Sequence, residues 1–196
     1  MASTRVLVVR HGQSEWNALG LWQGQEDPPL SDLGRAQAAE AARSVGAVDA
    51  VVASPLSRAS ETAAIIAGAL GVEPVVRIEG LMERHAGEWQ GLSRAEIELA
   101  WPGYLEAGRR PPGWEDDGHV ERRALGSLEE MHRRFEGANL LAVAHAGIIY
   151  ALERQLGADF ERIANLAGRV VEVSDGGAEL GERLHLVDHE TVPDQI

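Results

Sequence analysis

The sequence predicts an α/β protein, a three-layer α/β/α sandwich with a largely parallel central sheet and an inserted cap region. Three observations lead there. Strand-like and helix-like segments alternate along the chain, the pattern of strands joined by crossover helices. The chain has 196 residues, 44% of them hydrophobic, which suffices for one well-buried core. Two apolar runs, Val6-Leu7-Val8-Val9 and Leu140-Leu141-Ala142-Val143-Ala144, lead into Arg10-His11-Gly12 and His145. In an open α/β sheet ligands bind beyond the carboxyl ends of the strands, so residues this distant in sequence are expected to share one pocket.

Taken in order, Arg5 to Arg10 reads as a buried strand, and Gly12 to Pro29 as a long polar loop carrying tryptophans, with Gly20, Gly24, Pro28 and Pro29 as turn residues. Loops of that length are usually functional. Ser31 is placed to cap an alanine-rich helix from Asp32 to Val45. Asp49 to Ala53 is the second strand, and Ser57 to Leu70 is the second helix, stopped by Gly71. Val75 to Ile78 reads as a third strand. The stretch from Glu79 to Gly118 is irregular, interrupted by Pro102, Gly103, Pro111, Pro112 and Gly113, with one short helix near Ser93 to Ala100. Inserted loops of this kind often roof a site. A helix from Val120 to Phe135, a strand from Leu140 to Ala144 and a helix from Ala146 to Leu156 follow. Two late strands are expected near Arg169 to Val173 and Arg183 to Val187. With no repeat, low-complexity tract or linker, residues 1–196 read as a single domain with 79–118 as its cap insertion.

Composition narrows the chemistry. There is no cysteine, and all 18 basic residues are arginine. Thiol nucleophiles, Schiff bases, P-loop lysines and kinase strand lysines are therefore excluded. The formal net charge of −13 argues against nucleic acid or an anionic membrane as a partner, since both require a basic face. It does not argue against a small phosphate ester, because arginines in a concave site focus positive potential locally. No apolar leader or membrane-length stretch is present in the sequence, so a soluble cytoplasmic protein is expected, as a monomer or a homodimer.

Two strand-end histidines with an adjacent arginine outline a site for phosphoryl transfer. Five ordered blocks extend that outline: Leu7-Val8-Val9-Arg10-His11-Gly12-Gln13-Ser14-Glu15-Trp16-Asn17; Gln23-Gly24-Gln25 with Pro29-Leu30-Ser31; Ala53-Ser54-Pro55-Leu56-Ser57-Arg58-Ala59 with Glu61-Thr62-Ala63; Leu81-Met82-Glu83 with Gly87-Glu88-Trp89-Gln90-Gly91-Leu92; and Val143-Ala144-His145-Ala146-Gly147. Together they resemble the histidine phosphatase superfamily, also called the phosphoglycerate mutase-like family, over most of the chain. The resemblance implies a phosphatase that hydrolyses small-molecule phosphate monoesters through a phosphohistidine intermediate, without metal or other cofactor.

The chemistry asks for the same residue types. A neutral imidazole attacks phosphorus with one nitrogen while its other N–H is held by an acceptor, which makes His11 the candidate nucleophile. Charge spread over three equatorial oxygens suits the planar forks of Arg10 and Arg58 and a protonated or donating His145. An alkoxide leaving group needs a proton, and the family spacing selects Glu83, under the inserted segment, over its neighbours Glu79 and Glu88. Substrate contacts are expected from Arg10, Asn17, Gln23, Gly24, Arg58 and Ala146. The remaining histidines read as structural (His85) or surface residues (His119, His132, His185 and His189). The five tryptophans fall in loops, either as packing of the cap or as a stacking surface.

Two departures bear on the substrate. Gly113-Trp114-Glu115-Asp116 stands where many relatives carry Gly-Gly-Glu-Ser, with Glu115 as the equivalent acid. A 2,3-bisphosphoglycerate-dependent mutase, the alternative within enzymes, has a longer insertion bearing a lysine that this chain lacks, although Arg109-Arg110 resembles its paired arginines. Trp89-Gln90-Gly91-Leu92 and Gln23-Gly24-Gln25 resemble actinobacterial phosphatases acting on glucosyl-3-phosphoglycerate, which points to a phosphorylated sugar or phosphoglycerate derivative. A catalytically inactive phosphate-binding or interaction module on the same fold is the reading from another class.

Overall fold

The computed structural model describes residues 2–188. Its centre is a six-stranded sheet in the order β3-β2-β4-β1-β5-β6, with β1 Thr4–Arg10, β2 Ala50–Ala53, β3 Val76–Arg77, β4 Asn139–Ala144, β5 Ala167–Ser174 and β6 Gly177–His185. The first four in that order run parallel, while β5 is antiparallel to β1 and β6 to β5. The sheet is thus the expected α/β layer, closed on one side by a hairpin.

Side chains alternate across a strand, and β1 shows why its apolar run is unbroken. Val6 and Val8 belong to a core with Leu128, Met131, Ile148 and Ile149 from α5 (Asp117–Arg134) and α6 (Ala146–Gln155). Leu7 and Val9 belong to the opposite core with Ala41 of α2 (Asp32–Ala41) and Ala63 and Ile66 of α3 (Ser57–Leu70). Helices therefore cover both faces, which makes the three layers. Fully burying aliphatic side chains of this size stabilises by about 1.5–3 kcal/mol each before entropy is counted.

The local signals act largely as read. Ser31 accepts the Gly34 N–H at the start of α2, and Gly71 ends α3 in the left-handed conformation at φ 70°. Asp116 caps α5 by accepting the His119 N–H, which starts that helix three residues ahead of the expected Val120. Helix α2 stops at Ala41 rather than Val45. The 12–29 loop contains a short helix, α1 (Glu15–Leu19), held by a reciprocal cap between Ser14 and Asn17. Residues 79–118 hold two single 3₁₀ turns and α4 (Arg94–Ala100).

Two expectations need correction. The last strand is Gly177–His185, not Arg183 to Val187, because Ser174 pairs with Gly177 across a two-residue Asp175-Gly176 turn. His132 is not a surface residue: it lies on the inner side of α5, 6% exposed, with its Nδ1 2.9 Å from Thr4 Oγ1. His189 lies outside the described residues. Among the described residues no helix is long and apolar enough to cross a membrane.

Candidate active site

The two signature histidines meet because β1 and β4 are adjacent parallel strands in register. Arg10 pairs with Ala144, so the residue after each strand emerges at the same edge. The His11 N–H donates to Ala144 O at 3.1 Å, and the two imidazole rings stand 5.1 Å apart at 62°. The main chain then turns against α2 at Gly12, where a Cβ would lie 2.5 Å from Gly34 O, so only glycine fits.

Hydrogen bonds fix the tautomer of His11. Its Nδ1 lies 2.6 Å from Gly12 O, to which it donates, so Nε2 carries the lone pair and accepts Arg58 Nε–H at 3.2 Å. Burial, followed by the charges of Arg58 and Arg10, holds the His11 imidazolium well below the ordinary histidine range. The ring is a neutral base at physiological pH.

His145, fully buried, is neutral for the same reasons, burial first and then the Arg58 charge. Ser54 Oγ accepts the Leu56 N–H at 3.3 Å and lies 2.8 Å from His145 Nε2. A buried hydroxyl that donates to Nε2 leaves the His145 proton on Nδ1, which is buried without a hydrogen-bond partner.

The arginines are held by main-chain carbonyls. Arg58, on the first turn of α3 and fully buried, donates to Gly24 O and Glu26 O, each at 2.8 Å, and burial lowers its pKa to about 10. Arg10 donates to Ile163 O at 2.9 Å, while its Nε is buried and unpartnered. Arg10 Nε, on the residue before His11, and His145 Nδ1, on the ring 5.1 Å from that of His11, are thus buried with no acceptor supplied by the protein, as are the indole N–H groups of Trp22 and Trp89. Buried polar groups are almost always paired, and unpaired ones tend to mark functional sites.

Arg10, His11 and Arg58 open into a cavity of about 470 Å³, whereas His145 is fully buried and is not among the residues that line it. Arg10, His11, Gln23, Gly24, Arg58, Glu83 and Ala146 line it together, and residues of the 79–118 segment, including Arg84, Ala86, Arg110 and Trp114, form much of its wall. Of the three candidate acids, Glu83 lines the cavity and the exposed Glu79 and Glu88 do not. Glu83 accepts the Arg84 N–H at 2.7 Å and the Gly147 N–H of α6 at 3.2 Å, at the positive end of that helix. Asn17 is placed differently from the other expected contacts. It is buried outside the lining, and its Oδ1 accepts the Ser14 N–H at 3.2 Å.

Several residues outside the expected catalytic and substrate-binding set support this arrangement. Asn165 donates to His11 O at 2.8 Å, a lone polar side chain in the run Ile163-Ala164-Asn165-Leu166 that could have signalled a buried hydrogen bond. Arg123 binds Gly80 O, Met82 O and Glu83 O, which sets the backbone from which Glu83 projects. Glu115 in turn holds Arg123 through both carboxylate oxygens, at 2.8 and 2.9 Å. Burial raises the Glu115 carboxyl, but Arg123 and the His85 N–H outweigh it and hold the group below the usual range. Trp89 is fully buried against Trp22, Trp101 and Trp114, so it packs the 79–118 segment, whereas Trp22 and Trp114 reach the cavity.

Comparison with known proteins places the chain in a family. The family described as "Histidine phosphatase superfamily (branch 1)" matches residues 6–182. A metal-independent phosphoserine phosphatase of Arabidopsis thaliana is 30% identical over 195 residues, covering 94% of this chain and 80% of that protein. A glucosyl-3-phosphoglycerate phosphatase of Mycobacterium tuberculosis is 35% identical over 172 residues, covering 80% and 76%. The structure of a mycobacterial glucosyl-3-phosphoglycerate phosphatase complexed with VO3 superimposes with a TM-score of 0.81 at 28% identity, covering 90% of this chain and 96% of that one. The chain belongs to the histidine phosphatase superfamily and is a phosphatase of that family.

Proposed function

We propose that the protein hydrolyses small-molecule phosphate monoesters in two steps through phosphohistidine at His11. The observation that carries this reading is the pair of unspent buried donors, Arg10 Nε and His145 Nδ1, beside the neutral Nε2 of His11. Three oxygens of a phosphoryl group supply the acceptors that the protein withholds, and donors placed in advance in a desolvated site act most strongly where charge develops. In the first step the Nε2 lone pair forms a bond to phosphorus as the ester P–O bond breaks. The Glu83 carboxyl gives its proton to the departing oxygen. In the second, water attacks phosphorus, Glu83 takes the water proton, and the P–N bond breaks to release phosphate and restore His11.

Residues 1–196 act as one domain in this reading, with 79–118 as the cap that selects the alcohol. The relatives named above act on phosphoserine and on glucosyl-3-phosphoglycerate, both of which carry a carboxylate. Arg110, in the cavity wall with its guanidinium 4.9 Å from the Trp114 ring centre, supports an ester with a second anionic group, such as a phosphorylated hydroxy acid or its sugar conjugate. Phosphate release across a panel of such esters and neutral sugar phosphates, in EDTA, tests the assignment. Turnover of carboxylate-bearing esters is expected, and no release from any ester would reject it.

A further inference from the structure

The loop at 156–166, between α6 and β5, reaches the anion site from a side that none of the five sequence blocks covers. Its Ile163 O receives Arg10 Nη1–H at 2.9 Å, its Leu166 N–H donates to Arg10 O at 3.0 Å, and its Asn165 donates to His11 O. Leu166 has φ 55°, the one positive φ outside glycine among the described residues. An L side chain adopts that conformation when its surroundings impose it.

Leu166 is held by the Arg10 carbonyl and by the core around Leu7 and Val9, and on the loop's other side lies an ion cluster around a buried carboxylate. Glu153 of α6, 2% exposed, accepts Arg169 Nε–H at 2.8 Å and both Nε–H and Nη2–H of Arg183, at 2.8 and 2.6 Å. Arg183 continues into the loop, donating to Glu161 O at 2.7 Å and Arg162 O at 3.1 Å. One turn back on α6, Tyr150 Oη accepts the Ile163 N–H at 2.9 Å. Ile163 is thus gripped at its nitrogen by α6 and at its oxygen by Arg10. A buried carboxylate with two guanidiniums is weak evidence for stability, since apolar packing often serves as well. Here the bonds lead instead through the loop to the guanidinium beside the nucleophile.

We propose that Arg183, held by Glu153, is a positioning residue for phosphate binding, acting through the Ile163 carbonyl on Arg10. This rests on the reading of Arg10 as a phosphate ligand. Guanidinium forks lose much of their value when misaimed, so a relaxed loop weakens the anion site without removing any group that touches the anion.

A double-mutant cycle read by the dissociation constant of inorganic phosphate tests it. Arg10→Met is expected to weaken phosphate binding by about tenfold or more. Arg183→Met, folded by circular dichroism, is expected to weaken it severalfold, and the double variant to bind no worse than Arg10→Met. Arg183→Lys should recover part of the loss. Unchanged affinity in Arg183→Met, or losses that multiply in the double variant, would overturn the inference. If Arg183→Met fails to fold, Glu153→Gln loosens the hold on Arg183 without touching a residue that lines the cavity, and must show the same non-additivity with Arg10→Met, or the inference falls. Failure of Arg10→Met itself to weaken phosphate binding would instead overturn the reading of the site.

Discussion

Gly147 makes room for Glu83: a Cβ at Gly147 would lie 2.2 Å from Glu83 Oε1. The carboxylate rests on the first turn of α6, where the Gly147 N–H donates to it, and any side chain there displaces it. What must move is the end of a flexible side chain, not backbone, so the fold absorbs the change while the carboxylate leaves its place. Gly147→Ala should therefore imitate Glu83→Gln. Read as release of the alcohol in a single turnover, both are expected to slow alkyl phosphates by about 10²-fold or more while sparing p-nitrophenyl phosphate, whose leaving group needs little protonation. Equal losses of alcohol release on both substrates would remove Glu83 from its role as the acid of the first step.

The same pair shows what was legible in the sequence and what was not. Strand ends place His11 and His145 at one edge, and the motif context picks out Arg10, Arg58 and Glu83, all of which the fold brings together. The supports were largely not legible, because they are made by long-range contacts; the polar Asn165 in an apolar run signals a buried hydrogen bond but not its partner. Arg123 reads as one charge on an amphipathic helix until α5 lies against the Gly80 to Glu83 backbone, and Asn165 lies 154 residues from its partner. Helix α1 is too short to show periodicity. Strand β6 is rich in glycine and glutamate and lies at the sheet edge, where β propensity is weak guidance, yet the Asp175-Gly176 turn was a usable hairpin signal.

His11→Ala should abolish turnover, by at least about 10⁴-fold, in a protein that remains folded by circular dichroism, because it removes the covalent path and no strand or helix contact. Rapid acid-free quenching of the wild-type protein with a labelled monoester should trap phosphate that is labile in acid and stable in base. Label on a residue other than His11 would reject the mechanism.

The two neutral histidines give the pH dependence its direction. Both are held below the ordinary histidine pKa by burial and by arginine charge, so kcat/KM, corrected for the second ionisation of the substrate phosphate near pH ~6, should not lose a histidine until below pH ~6.5. An acid limb at or above that value in the corrected profile would contradict a neutral, shielded His11. Stability follows the same sign. The unfolded chain takes up these protons first, so the contribution is fully present above about pH 6.5 and is lost as pH falls below it towards the folded values. In denaturant titrations His11→Asn should lose less stability between neutral and mildly acidic pH than the wild type, and identical slopes would refute the linkage.

The fate of the phosphohistidine separates hydrolysis from isomerisation. A mutase must protect its phosphoenzyme from water until a second phosphoglycerate hydroxyl accepts the group, which calls for an enclosed and well-lined substrate site. Here Arg110 and Phe160, both in the cavity wall, are exposed, Phe160 at 63%, so water reaches the cavity. Single-turnover assays in EDTA should therefore show inorganic phosphate released from a carboxylate-bearing monoester as fast as the alcohol is freed. Phosphoglycerate isomerisation should be slow and dependent on added bisphosphoglycerate. Phe160 also supplies a control, since it lies against Tyr150 with ring centres 5.0 Å apart and contributes apolar wall but no proton donor. Phe160→Ala should change KM for bulky esters more than kcat, because the water and Glu83, the base that acts with it on phosphohistidine, are untouched. Isomerisation outrunning hydrolysis by a large factor would replace the phosphatase step with transfer to a second substrate hydroxyl.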